Sequence, residues 1–320
     1  MDEIFLLSNR KRLTLKRGKE RVVTNRHPWI FAGAIGAEGG PPEAAIGDLF
    51  DVNGVRLASG FYSPRSEIRL RALTFGQDEL TAELIAQRID AAIARRRRLL
   101  GPNTNAIRMI NADGDDLSGL VIDLYNDVVV AEIANAGIER LKPMILDTIR
   151  RALNPRLIYL SNDMPARRLE QLATEPEAIG EGTPATTILE NGLRFEVDPA
   201  SGQKTGFFLD QRENRTLAQS LAPGRRMLNL FSYTGAFGVY AAGPGHQSGE
   251  TQSRSERLVD HRSFHGRRCV RACAPPSGKR RAIRLDRLRS AGIRETESGS
   301  RPRRARLQGH QLVRDAASRT

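Results

Sequence analysis

Cysteine is nearly missing from this chain. Of 320 residues only Cys269 and Cys273 are thiols, and residues 1–245 contain none. No disulfide can therefore hold whatever folds in that span. Aromatic residues make up 5% of the chain, and Trp29 is the single tryptophan. No apolar run approaches the ~18 residues of a membrane-spanning helix. The first residues, Met1-Asp2-Glu3, lack the basic stretch that opens a secretory signal. These absences predict a cytoplasmic protein.

Acidic residues become scarce only late in the chain. Residues 246–320 hold 19 basic and 7 acidic residues, a net of +12. Residues 1–245 hold 31 and 30, a net of +1. Eighteen of the 19 basic residues in the tail are arginine. Its 11 Leu, Ile, Val and Phe are scattered without a period, and low hydrophobicity with high charge predicts disorder. His261, His265, Cys269 and Cys273 recur every four residues, but on one helix the outer pair would lie ~18 Å apart, which excludes a shared zinc. No metal is expected. The change of character near Gly243-Pro244-Gly245 fits a shifted reading frame; a genuine basic tail is the other reading. Sequencing the coding DNA separates them, since a frameshift requires the other frame to continue the upstream fold.

What is present upstream is ordered by pattern. Residues 1–74 read as short strands and turns, with a hairpin at Asn53-Gly54. Arg10, Lys11, Arg12, Lys16, Arg17 and Arg26 form a local basic patch that could take phosphates. Trp29, among apolar neighbours, is expected in the core, with stacking on a base as the other reading. Leu80, Leu84, Ile85, Ile89 and Ile93 predict a helix over 78–100, with Arg95–Arg98 at its negative end. Residues 103–190 read as mixed α+β, with a helix over 138–153 and a loop over 175–184. Asp113-x-Asp115 invites a calcium reading, but the remaining ligands are missing and a solvated turn is expected.

Residues 202–242 organise the rest. Gly202-Gln203-Lys204-Thr205-Gly206 is a turn-rich run, followed by Phe207-Phe208 and a helix ending at Leu221. Met227–Phe231 reads as a buried parallel strand, and Ala236–Ala242 as a helix. Strand, turn and helix form the first unit of a doubly wound domain, whose ligand sits at the strand's carboxyl end.

QKTGFFLDQRENR and NLFSYTGAFGVYAA closely resemble the S-adenosylmethionine-binding segments of the bacterial large-subunit ribosomal RNA methyltransferase I family, which makes 5-methylcytosine. RHPWIFAGAI and LASGFYSPRSEIRLR resemble its N-terminal RNA-binding PUA module. INADGDDLSGLVIDLYND and SNDMPARRLE resemble its middle domain. The resemblance covers roughly residues 1–243. It implies an α/β chain: a PUA-like β module (1–74), an α+β middle domain (75–190), the start of a Rossmann-like methyltransferase domain (191–245), and the tail (246–320). It implies S-adenosylmethionine as cofactor, lined by Gln203, Lys204, Thr205, Phe208, Asn229, Phe231, Thr234, Gly235 and Phe237. Ribosomal RNA is the implied partner, and the basic patch its contact.

Other features of the family pattern are missing. The family draws its catalytic cysteine from late strands, and no thiol occurs before Cys269. The acid expected on the ribose has no convincing counterpart, although Glu250 and Asp260 lie near the required distance. The chain is therefore expected to be inactive, with its catalytic residues unassigned. Two other readings stay open: a non-catalytic RNA-binding protein with an arginine-rich arm, and a methyltransferase with another RNA base as target. Asp210 and Arg212 could pair with each other rather than serve the cofactor.

Overall fold

The computed structural model describes residues 9–202, 205–225, 227, 229 and 233–243. The N-terminal module holds β1 (Lys11–Leu15), α1 (Arg21–Thr24), β2 (Trp29–Phe31), β3 (Ile35–Gly39), β4 (Ile46–Phe50), β5 (Arg56–Tyr62) and β6 (Ile68–Phe75). They form one six-stranded sheet in the order β2-β6-β5-β4-β1-β3. Leu13, Leu15, Ile30, Leu49, Tyr62 and Leu70 are buried together in its interior. The β4–β5 turn forms where Asn53-Gly54 predicts it. The Asp51 carboxylate accepts the Asn53 and Val55 N–H groups at 2.9 and 2.8 Å. Gly54 adopts φ 84°, a conformation that favours glycine.

Helix α2 (Ala82–Arg97) begins at Thr81, whose side chain accepts the Leu84 N–H. Five strands follow: β7 (Ala106–Asn111), β8 (Leu120–Tyr125), β9 (Val128–Ile133), β10 (Leu157–Leu160) and β11 (Glu177–Gly180). Their order is β11-β10-β9-β8-β7. β9 and β10 are parallel, joined through α3 (Ala136–Arg140) and α4 (Lys142–Leu153). The predicted single helix over 138–153 is thus two. Pro143 stands in the first turn of α4, where its missing N–H and fixed φ suit a new start and would break an interior. The predicted loop over 175–184 contains β11, antiparallel to β10. Three of its four residues are exposed, so it carries no apolar signal. After α5 (Pro165–Leu169) and β11, the hairpin β12 (Thr186–Glu190) and β13 (Leu193–Val197) turns through Asn191 and Gly192, both at positive φ. Asn-Gly supplies that turn at little strain. Helices α6 (Arg212–Leu221) and α7 (Ala236–Ala242) complete the described elements.

The central sheet is buried on both faces, and its side chains alternate between two cores. Val129, Ala131, Ile133, Ile158 and Leu160 point to one core, shared with α2 and α4. Val128, Val130, Leu157 and Tyr159 point to the other, shared with the hairpin, Phe207, Ala236 and Tyr240. The first core also takes Ala45, Ile46, Phe61 and Leu73 from the N-terminal module, so the module and the sheet are packed as one body. A polar pin crosses the same boundary. Arg71 donates to Glu170 at 3.3 Å and to Ser63 at 2.9 Å, while Glu170 also accepts the Ala136 N–H at 3.2 Å.

Three expectations meet the structure differently. Trp29 is not core: it is 36% exposed, because β2 turns it outward while Ile30 points in. Arg95–Arg98 do more than face the helix end. Arg95 and Arg96 donate to the buried Asp115, and Arg97 to the Ala152 carbonyl. That engagement also explains Asp115, which is held by arginines and the Asn111 N–H rather than solvated in a turn. Most of the predicted strand Met227–Phe231 and all of the tail 246–320, with the expected disorder, lie outside the described residues.

Gly137 marks how closely the module approaches. A Cβ there would lie 2.7 Å from the Ala45 carbonyl oxygen and 2.8 Å from Phe61 Cβ. Gly137→Ala should cost about 1–3 kcal/mol, read as a lower urea midpoint, because a backbone must move to admit it. An unchanged midpoint would show that the boundary is slack.

Candidate functional site

A buried ion pair assembles the C-terminal part. Glu190, at the end of β12, is fully buried. Arg215 on α6 donates to its two oxygens at 2.7 and 2.8 Å, a bidentate fork. Tyr240 on α7 donates to the same carboxylate at 2.9 Å. Arg215 also donates to the Phe208 carbonyl and lies over the Phe207 and Tyr240 rings. Burial first, and then the Glu190 charge, pushes the Tyr240 hydroxyl well above the ordinary tyrosine value, so it remains a donor. One carboxylate thus fixes the hairpin, both helices and the loop before α6. Arg212 does not pair with Asp210. It turns to Glu190 at 3.5 Å and donates to the Ala106 carbonyl.

A second network holds the loop against the central sheet. Arg108 grips Asp123 through two hydrogen bonds of 2.8 and 3.0 Å. Asp123, fully buried, accepts the Thr205 hydroxyl at 2.6 Å, and Tyr125 lies 2.9 Å from the same hydroxyl. Thr205, proposed for the cofactor, is itself 2% exposed and anchors the loop from below. Glu132 lies on the same face of β9. Burial first, then the Asp123 charge, raises its carboxyl above the ordinary 4.5, against the pull of Arg108.

These anchors bring the two sequence motifs into contact. Tyr233 donates to the Gly206 carbonyl at 3.0 Å, and its ring meets Phe208 edge-on at 5.3 Å. A Cβ on Gly202 would come within 2.7 Å of Gly206 Cα and 3.0 Å of the Tyr233 oxygen, so glycine is required for the closure. Tyr233 and Gly235 both take positive φ in the turn that opens α7. A Cβ on Gly235 would meet nothing within 4 Å, so that side of the turn is open. Asn229 reaches toward Gly238, its Nδ2 3.9 Å from where a Cβ would stand. Phe208, Asn229, Gly235 and Phe237 are half-buried and Thr234 is exposed. Gln203, Lys204 and Phe231 lie outside the described residues. Of the described candidates, Phe208, Thr234 and Gly235 lie with Tyr233 at the turn that opens α7, and Thr205 lies buried beneath the loop. A separate cleft of about 390 Å³, lined by Leu99, Asn103, Thr104, Asn191, Arg212 and Glu213 among others, contains none of them.

The six basic candidates for RNA divide. Arg10 donates to Asp48 and the Leu80 carbonyl. Lys11 is 8% exposed beside Glu38 and Tyr62. Arg12 lies 3.7 Å over the Phe50 ring. Arg12, Lys16, Arg17 and Arg26 are all exposed, and Arg26 lies over the Phe75 ring as Arg12 lies over Phe50.

Known proteins match this arrangement. A family model for PUA-like domains matches residues 13–75. One for S-adenosylmethionine-dependent methyltransferases matches residues 161–266. Ribosomal RNA large subunit methyltransferase I of Tolumonas auensis is 41% identical over 233 residues, covering 71% of this chain and 59% of that protein. Its Shewanella denitrificans counterpart is 39% identical over 242 residues, covering 73% and 60%. The chain belongs to the ribosomal RNA large subunit methyltransferase I family.

It spans about three-fifths of the length of these relatives. Two solved structures share the fold at 23% identity. One, assigned as an S-adenosylmethionine-dependent methyltransferase from Streptococcus mutans, gives a TM-score of 0.58 over 72% of this chain and 60% of its own. The other, a methyltransferase assignment solved with SAH, gives 0.60 over 72% and 59%. S-adenosylmethionine is the cofactor of the family. The methyltransferase match runs to residue 266, past Gly243-Pro244-Gly245, where the motifs predict it to stop. Cys269 and Cys273 still lie beyond it.

Sequence reasoning missed Glu190, Arg215, Asp123 and Arg108, the residues that position the loop. For Glu190, Asp123 and Arg108 the only signal was charge inside otherwise apolar strands; Arg215, on the polar helix α6, gave none. Two measurements test their roles. Arg215→Met should cost about 3–5 kcal/mol in urea unfolding, since it removes the bidentate partner of a buried carboxylate and leaves Glu190 only the Tyr240 hydroxyl and the more distant Arg212. Combining it with Glu190→Leu should recover much of that loss; an additive loss would contradict the pairing. Glu132→Gln should stabilise the protein at neutral pH. The raised carboxyl means that the folded state holds its proton longer, so ionisation costs stability as pH rises above 4.5. The gain should vanish below that pH, and a gain independent of pH would refute the assignment.

Proposed function

We propose that this chain carries the RNA-binding half and the first cofactor wall of an S-adenosylmethionine-dependent methyltransferase acting on C5 of a cytosine in large-subunit ribosomal RNA. The observation that supports it best is the meeting of residues 202–208 with residues 233–235 through Tyr233, which gathers the two cofactor motifs at one place. In this reading Phe208, Asn229, Gly235 and Phe237, with Gln203, Lys204, Thr234 and Phe231, hold the cofactor, and Thr205 fixes the loop from beneath. The cofactor supplies an electrophilic methyl group. The chain's own residues orient it and exclude water on one side, because methyl transfer depends mainly on in-line positioning.

Cytosine C5 is a weak nucleophile. A thiolate adding at the neighbouring ring carbon would raise the electron density at C5, which is covalent catalysis by an activated nucleophile. Residues 1–245 offer no thiol, and Cys269 and Cys273 lie outside the matched span. The 320-residue chain is therefore expected to leave RNA unmethylated and, with only the first wall of the pocket in this reading, to bind S-adenosylmethionine poorly.

Two assays decide it. Isothermal titration should show no micromolar binding of S-adenosylmethionine, and labelled methyl should not enter ribosomal RNA. Micromolar binding with incorporation would overturn the expected inactivity. Incorporation at another base would overturn the cytosine assignment.

A further inference from the structure

Residues 16–31 combine exposed cations with exposed aromatics in a way the cofactor wall does not explain. Lys16, Arg17, Lys19, Arg21 and Arg26 are all exposed, and Glu20 is the only acid among these sixteen residues. None of the five cations forms an ion pair among the described residues. Trp29 and Phe31 project from the same face of β2, 36% and 46% exposed. The structure joins the two groups. The Lys16 ammonium donates to the Gly33 carbonyl at 2.9 Å, two residues past Phe31. Arg26 lies 5.7 Å over the Phe75 ring, and the His27 ring meets Trp29 edge-on at 6.1 Å. Trp29 is also held in place. Its indole N–H donates to Asp113 at 3.1 Å, and its backbone N–H donates to His27 Nδ1 at 3.0 Å.

We infer that β2 is a stacking platform for single-stranded RNA. Unpaired bases stack on Trp29 and Phe31, and their phosphates run along Lys16, Arg17 and Arg26. This rests on the RNA reading above and gives it a surface. Base–aromatic stacking is tolerant of sequence, whereas the cations supply salt-dependent affinity. A pinned indole loses little freedom on binding, which favours a preformed platform. A base-paired helix keeps its bases stacked on each other and could use only the cations.

Trp29 is the single tryptophan, so the fluorescence of the full chain reports on this surface alone. We would titrate the protein with a single-stranded pyrimidine oligoribonucleotide, with its duplex, and with heparin, following tryptophan emission alongside the anisotropy of a labelled probe. The single strand should quench emission in a saturable, salt-dependent way. Heparin and duplex should bind, the arginine-rich tail contributing, without comparable quenching. Phe31→Ala should shift the quenching midpoint about tenfold. Phe31→Leu, which keeps apolar bulk but removes the ring, should do the same while the thermal melt stays unchanged. Arg168→Ala, at an exposed cation on α5 outside the module, should leave the midpoint in place. Binding by anisotropy with no change in emission, equal quenching by heparin, or an unmoved midpoint in both Phe31 variants would sink the platform while leaving the proposed function untouched. No RNA binding by either readout would sink both.

Discussion

The fold depends on a central sheet whose inner strands, β8 to β10, are covered on both faces. Four of its strands, β7 to β10, send alternate side chains into two separate cores, one shared with the N-terminal module and one with the beginnings of the methyltransferase domain. A shift of one residue along β9 would exchange Val128 and Val130 with Val129 and Ala131 and disturb both cores at once. Register is therefore strongly specified. The loop at Thr205 rests on that sheet as on a rigid floor, through Tyr125 and Asp123.

The second face also carries charge, and charge inside a sheet has to be paired. Arg108 with Asp123 and Arg215 with Glu190 meet that need in the same way, each by a bidentate fork and each with a third partner that belongs to the loop. The third partners are Thr205 and the Phe208 carbonyl. An apolar pair would pack as well and cost less desolvation. What the ionic pairs add is direction, because a fork accepts one orientation of the loop. The loop holding the first motif is thereby set at two points, and Tyr233 carries that setting across to the second motif.

Much of the fold could be read from the residues. Asn53-Gly54 and Asn191-Gly192 announce their hairpins, since few other pairs take those backbone angles. The apolar stripe from Leu80 to Ile93 announces its helix. The reading failed where local pattern gave no sign of the tertiary partner. Glu177–Gly180 pairs by backbone alone, so its polar side chains read as loop. The stripe from Ile138 to Leu153 hid the break before Pro143, because both pieces face the same core. In the site, the turn-rich run from Gly202 to Gly206 was legible. Asp123 and Glu190 were not, for a single carboxylate in an apolar strand looks the same whether it lies at an edge or under a loop.

The basic patch makes the same point from the surface. Arg10, Lys11 and Arg12 stand side by side in the chain and carry like charge, yet each is engaged within the module. Arg10 meets a carboxylate and a carbonyl, Lys11 a buried tyrosine, and Arg12 a phenylalanine ring. Lys16, Arg17 and Arg26 follow within a few residues and remain exposed. Composition counts all six alike. What sets Arg10 and Lys11 apart is position: they lie half-buried and buried beside Asp48, Glu38 and Tyr62, whereas Arg12 stays exposed over a ring, as Arg26 does over Phe75. Trp29 belongs to the same logic. Its apolar neighbours suggest a core residue, but on a three-residue edge strand alternation sends Ile30 inward and leaves Trp29 and Phe31 facing out, beside the cations that the sheet did not use.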